Sequence, residues 1–297
     1  MTQFLQAVVN GFALAAIYAL IALGFVIIYK SMQVLNFAQP ALLLIGAYWV
    51  VYFVDIWRWS FWVAVLMGVG LAALTGVMLE RVFLRPMVGK PVFAVAIMTI
   101  GLNTAINIVA LDLLGLDLRP FSNPWGLSVV TLGDVRVAHS QIAGVVAAVV
   151  LVGALLAFFK YSRMGLAMRA TAFDQEVALT QGVSVPMVFA VSWAIASVLA
   201  MVGGVFLGVG IGLDKSVTVT ALKALPVVVV GGLDSISGAL AGALLVAMIE
   251  MLSATYQPQY AAFLGKNFSQ VVPYLVMFVV LLIRPYGLFG TEEVERV

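Results

Sequence analysis

The chain has 297 residues, of which 64% are hydrophobic and only 9% charged, and its mean hydropathy is +1.16. That balance excludes an ordinary soluble domain; the formal net charge of +2 is too small to draw in nucleic acid, and the lack of cysteine rules out disulfides, thiolate metal sites and a cysteine nucleophile. Lipid offers the backbone no hydrogen bonds, and about 20 apolar residues of helix cross the ~30 Å of hydrocarbon, so the expected fold class is all-α: a polytopic transmembrane helical bundle of about eight or nine spans.

The first apolar run, Leu5–Tyr29, outlasts the apolar region of a signal peptide and lacks its basic leader, so it reads as a retained span. Further runs follow at Ala38–Val54, Phe61–Leu79, Val92–Leu114, Gln141–Phe159, Val188–Leu213, Gly238–Ser253 and Ser269–Ile283. Val217–Gly232 is shorter and broken by Pro226; it is either a re-entrant or discontinuous helix enclosed by protein, or an ordinary kinked span. No polar stretch is long enough to enclose a soluble core, which leaves one integral domain over residues 1–297.

Basic residues set the expected orientation. Arg81, Arg85 and Lys90 mark one cytoplasmic loop, Lys160, Arg163 and Arg169 another, and Lys30 lies on the same side. The loop from Leu114 to Val137 carries Asp117 and Asp134 against Arg119 and Arg136 and is expected outside, with Pro120, Pro124, Trp125 and Gly126 forming either a docking surface for a delivery protein or a solvated loop with an interfacial Trp. The N-terminus then falls outside and the tail from Arg284 inside, which demands an odd number of crossings.

Residues 160–185 form the longest charged break. Thr171 followed by Asp174 suggests an N-cap, Asp174 and Glu176 suit the positive end of a helix dipole, and Gly182 is a natural stop, so a short capped helix is predicted from Thr171 to Gln181. A short helix buries little by itself, and its economical use is to dock into a partner outside the membrane.

Groups for catalysis are sparse. The single His139 stands at the start of a span, where a lone histidine is most often incidental, and no Gly-x-x-x-x-Gly-Lys-Ser/Thr loop is present to hold ATP. Few ionisable groups lie within apolar segments; Glu250 and Lys223 stand out, and neither has a partner evident in sequence, which weighs against a proton-coupled carrier. Asn36 and Gln39 around Pro40, then Thr99, Asn103 and Asn107, could line a polar path for a small solute or serve as interhelical hydrogen-bonding glue. Gly231, Gly232, Ser235, Ser237, Gly238 and Gly242 are expected to let helices pack closely.

Five stretches taken in order resemble the permease subunits of ATP-binding-cassette importers for branched-chain amino acids, urea and short amides. These are Tyr18 to Gly24 with Asn36-Phe-Ala38, Thr99-Ile-Gly-Leu102, the pair Gly165-Leu-Ala-Met-Arg-Ala170 and Glu176-Val-Ala-Leu-Thr-Gln-Gly182, Val230 to Gly238, and Arg284-Pro-Tyr-Gly-Leu-Phe-Gly290. The resemblance implies a coupling segment with Arg169, Asp174, Glu176, Ala178 and Gly182 at its contact with an ATPase. It also implies a second homologous permease, two cytoplasmic subunits that bind ATP and Mg, and an external solute-binding protein, with no cofactor in this chain and residence in a bacterial inner membrane. Where the family commonly has His-Gly after Asn-Phe-Ala, this chain has Gln39-Pro40; Val177 stands for the middle Ala of the coupling motif and Leu166 for a common Arg. A stand-alone secondary carrier or channel is the alternative, in which Glu250 and Lys223 would serve ion coupling; a membrane enzyme is a third and weaker one.

Overall fold

The computed structural model describes residues 2–114, 122–214, 216–265 and 267–291; Asp117, Arg119 and Pro120 of the expected outer loop lie outside the described residues. In chain order it contains α1 (Thr2–Met32), α2 (Gln39–Asp55), α3 (Phe61–Leu79), α4 (Val92–Leu114), strands β1 (Val129–Leu132) and β2 (Val135–Ala138), then α5 (His139–Tyr161). There follow α6 (Arg163–Phe173), α7 (Gln175–Thr180), α8 (Val185–Ile211), α9 (Ser216–Leu222), α10 (Ala224–Gly231), α11 (Ile236–Tyr260) and α12 (Val272–Ile283). Among the described residues six helices are long and apolar enough to cross a membrane, and three shorter apolar segments accompany them, namely α2, α9 with α10, and α12. The chain is an all-α polytopic membrane bundle.

Uniform hydrophobicity leaves packing to decide which helices go inside. The central helix is α1, buried almost without interruption from Tyr18 to Ile28 and flanked by α8 and α11. On the outside, α3, α4 and α5 keep broad apolar faces exposed, such as Leu66, Ile97 and Val149, the surface a bilayer would cover. Between helices the small residues act as expected: a Cβ on Gly231 would strike the Gly238 carbonyl, and one on Gly242 would strike that of Val227, so α10 and α11 touch backbone to backbone.

Two ends of the bundle can be told apart. At one, the Gln6 amide exchanges two 2.8 Å hydrogen bonds with the backbone of Arg136, and Gln259 reaches Gln3. This pins the β1–β2 hairpin to the start of α1 and gives the expected loop a strand pair, paired from Val129↔Ala138 to Leu132↔Val135. Trp125 there packs on Phe61, Trp62 and Phe206. At the other end Lys30 reaches Asp234, Gln175 reaches Ser31 and Arg85 reaches Pro186.

The segment 217–232 therefore runs from the far end of α8 back to the Lys30 end, as a discontinuous pass. Its break falls at Lys223 and not at Pro226. Pro226 sits in the first turn of α10, where the helix needs no amide from it, so the ring starts the second half-helix instead of interrupting it.

Candidate functional site

Residues 160–185 fold as two capped helices, not one. Ser162, in extended conformation, accepts from Gly165 N at 2.8 Å and starts α6. Helix α6 then runs straight through Thr171, whose hydroxyl donates to the Ala167 carbonyl at 2.9 Å while its side chain is buried; Thr171 is thus not the predicted cap. The cap is Asp174, at φ −158°, whose Oδ1 accepts from Glu176 N at 2.8 Å and Val177 N at 2.9 Å. The earlier cap wins because Ser162 already sits outside the helix, whereas the amide and carbonyl of Thr171 are committed to its interior.

The stop of α7 is equally specific. Val183 N donates to the Ala178 carbonyl and Gly182 N to that of Leu179, each at 3.0 Å, with Gly182 at φ +81°. This is the Schellman arrangement, which needs a left-handed residue at that position. Of the residues expected at a partner contact, Arg169, Asp174, Glu176 and Gly182 are exposed, and Ala178 is buried under the segment. Around them Leu166, Phe173, Val177 and Leu179 stand out as exposed apolar side chains, with Phe173 94% exposed. One contact that sequence did not suggest ties the segment to the bundle: Gln175 Nε2 donates to the Ser31 carbonyl at 3.2 Å, capping one of the orphan carbonyls that end α1.

The polar residues expected along a path divide into two groups. Asn36, Gln39 and Thr99 are brought together and are at most 1% exposed. Asn36 accepts from Ala38 N at 3.0 Å and donates to Gln39 Oε1 at 3.3 Å, Gln39 donates to the Ala196 carbonyl at 3.2 Å, and Thr99 accepts from Phe37 N at 3.1 Å. The chain between α1 and α2 folds back to the level of Gly24 in α1 and Ala196 in α8, well inside the bundle, so its free amides need protein partners; these side chains supply them. Asn103 and Asn107 do not join this cluster. They lie farther along α4, half-buried and bonded to each other, with exposed Thr104 beside them.

Lys223 and Glu250, which the sequence left without partners, are partners of each other. Lys223 Nζ lies 2.5 Å from Glu250 Oε1, and Tyr18 donates to Glu250 Oε2 at 2.7 Å, so α1, α11 and the break between α9 and α10 meet at one buried point. The signal was two opposite charges in apolar segments; their separation of 27 residues across two helices hid the pairing.

A family profile described as "Branched-chain amino acid transport system / permease component" matches residues 7–281. The chain belongs to that permease family. This permease is 31% identical over 99% of its length to the "High-affinity branched-chain amino acid transport system permease protein LivH" of Escherichia coli, covering 98% of that protein. It is 30% identical, at the same coverage of both chains, to the permease protein BraD of the correspondingly named system in Pseudomonas aeruginosa. Among solved structures it resembles a chain of "PsaBC from Streptococcus pneumoniae in complex with Fab", with a TM-score of 0.50, 11% identity and coverage of 96% and 93% of the two chains, a likeness of fold alone. Residues 160–185 of the permease, with α6 and α7, fall inside the profile match.

Proposed function

We propose that this permease forms the membrane path of an ATP-driven importer for branched-chain amino acids, paired with a second homologous permease. Two cytoplasmic subunits holding ATP and Mg would power it, and an external solute-binding protein would deliver the solute. The chain itself holds no cofactor and catalyses no reaction. It resides in a bacterial inner membrane with α6, α7 and the tail inside and the start of α1 outside. The observation that carries the reading is the α6–α7 pair: individually capped, exposed, apolar at Phe173, Val177 and Leu179, and fixed to the central helix through Gln175. Such a surface fits a groove in a motor subunit, with Arg169, Asp174 and Glu176 around it and Gly182 setting the exit of the chain. Closure of the motor pushes the segment, and the helices that flank it carry the shift into the bundle.

The path runs along α4, where Asn103, Thr104 and Asn107 offer polar groups in a span that exposes much of its surface. Hydrocarbon is a poor neighbour for such groups, which supports a facing permease or an aqueous route. Asn36, Gln39 and Thr99 form a buried cluster that ties the turn before α2 to α4 and α8. Mutual neutralisation of Lys223 and Glu250 supports the importer over a secondary carrier, because a coupling ion would have to compete with an ion pair already closed.

Replacing Glu176 or Gly182 tests the proposal. The expected result is loss of uptake in membranes that still contain the inserted protein; full uptake by both variants would overturn the coupling assignment.

A further inference from the structure

At the α6–α7 end of the bundle a cavity of about 630 Å³ opens between the end of α6, the end of α1, the turn after α10 and the segment that follows α12. A second, of about 440 Å³, adjoins it, and both are lined by Lys30, Asp234 and Thr291. Lys30 Nζ donates to the Asp234 backbone carbonyl at 2.8 Å, and among the described residues no carboxylate lies within ion-pairing distance of it. Two of its three ammonium hydrogens are thereby left for an anionic group. The Asp234 carboxylate is oriented by the amide and hydroxyl of Thr291, which leaves acceptor capacity on a fixed anion beside the cation. Around this pair of opposite charges the lining is mixed: Val229 and Leu233 supply apolar surface, and Gln33 and Tyr286 add polar groups.

We propose that this cavity binds a free amino acid with an aliphatic side chain on the face where the importer releases its solute, and that its occupation slows transport. The carboxylate lies on Lys30 with the Gln33 amide at the rim, the ammonium on Asp234, and the side chain against Val229 and Leu233. Occupation joins the end of α6, at Ala172 and Phe173, to Tyr286 and Thr291 of the closing segment, and so restrains the element on which the motor pushes. Because α6 must move for transport, a ligand that prefers the joined arrangement lowers the rate as solute accumulates inside. The identity of the ligand rests on the importer reading; the site rests on the cavity and its charges.

Equilibrium dialysis of the purified chain against labelled leucine tests the site without any transport step. Binding is expected in the wild type and a loss of about tenfold or more in affinity for Lys30→Met, the effect of deleting one charge-assisted hydrogen bond. Gln33→Ala, a change at an exposed side chain, serves as the second variant and weakens binding less. Absence of leucine binding, equal binding by both variants, or displacement of leucine by inorganic phosphate would each overturn the proposal. In vesicles containing the full complex, uptake with leucine preloaded on the α6–α7 side is expected to fall several-fold relative to unloaded vesicles, and this ratio is expected to approach one for Lys30→Met. Uptake that ignores preloaded leucine overturns the regulatory role while leaving the importer reading intact; leucine binding by a chain that supports no ATP-driven uptake retains the site and defeats the importer reading.

Discussion

Lys223 Nζ and Glu250 Oε1 stand 2.5 Å apart inside the bundle, at the point where one pass is cut into two half-helices. Deleting one member strands a buried charge, at a cost of about 3–5 kcal/mol. Glu250→Gln or Lys223→Met alone is therefore expected to lower the denaturation midpoint of the detergent-solubilised complex markedly. Lys223→Met combined with Glu250→Gln removes both charges and keeps an acceptor for Tyr18, so much of the midpoint should return. Single variants as stable as the wild type would show that the pair does not hold the break. Uptake should follow stability across the set; a stable double variant without uptake would favour a secondary carrier.

Gln175 couples α7 to the end of α1 through one side-chain hydrogen bond. Gln175→Ala should leave the subunits assembled and ATP hydrolysis running while the solute moved per ATP drops several-fold. If uptake and hydrolysis fall in the same proportion, the bond contributes to assembly and not to transmission.

At Gly182 the backbone is left-handed, with open space where a Cβ would go. A substitution thus tests conformation alone: Gly182→Val adds strain of about 1–2 kcal/mol, and Gly182→Asn, which tolerates that region, should retain far more uptake. Comparable loss in both would mean that the partner reads the bare glycine surface instead.

Asn36 closes the buried turn before α2 through Ala38 N and Gln39. Asn36→Ala orphans a buried amide, and a loss of about 1–3 kcal/mol is expected in stability, read as lower expression and a lower midpoint. An unchanged midpoint would mean that the turn finds other partners.

Much of this architecture was legible in the sequence, because every long apolar run had one physical solution in lipid. The apolar runs Phe61–Leu79 and Val92–Leu114 coincide with the bounds of α3 and α4. What stayed hidden depended on distant parts of the chain. Pro226 drew attention to a break that belongs to Lys223, since a proline is disruptive inside a helix and harmless in its first turn. Thr171 resembled a cap until Ser162, earlier in the chain, proved to have started the helix. By residue type Asn36 and Gln39 suit either a polar route or hydrogen-bonding glue, and the inward fold of the chain around them supplies the backbone groups that they bond. Gln175 carried no signal at all, because its partner is a backbone carbonyl 144 positions away.

The end of α10 illustrates how late in synthesis this molecule becomes complete. The carbonyls of Val230 and Gly231 accept from Leu288 N at 2.8 Å and Phe289 N at 2.9 Å, and Gly232 and Gly290 are pressed together there so closely that no side chain fits between them. On the ribosome, a helix that belongs to the interior must therefore wait, its final peptide groups unanswered, through the translation and insertion of both α11 and α12. A nascent chain halted before residue 288 holds all of the apolar helices described above and still lacks the strap that finishes one of them.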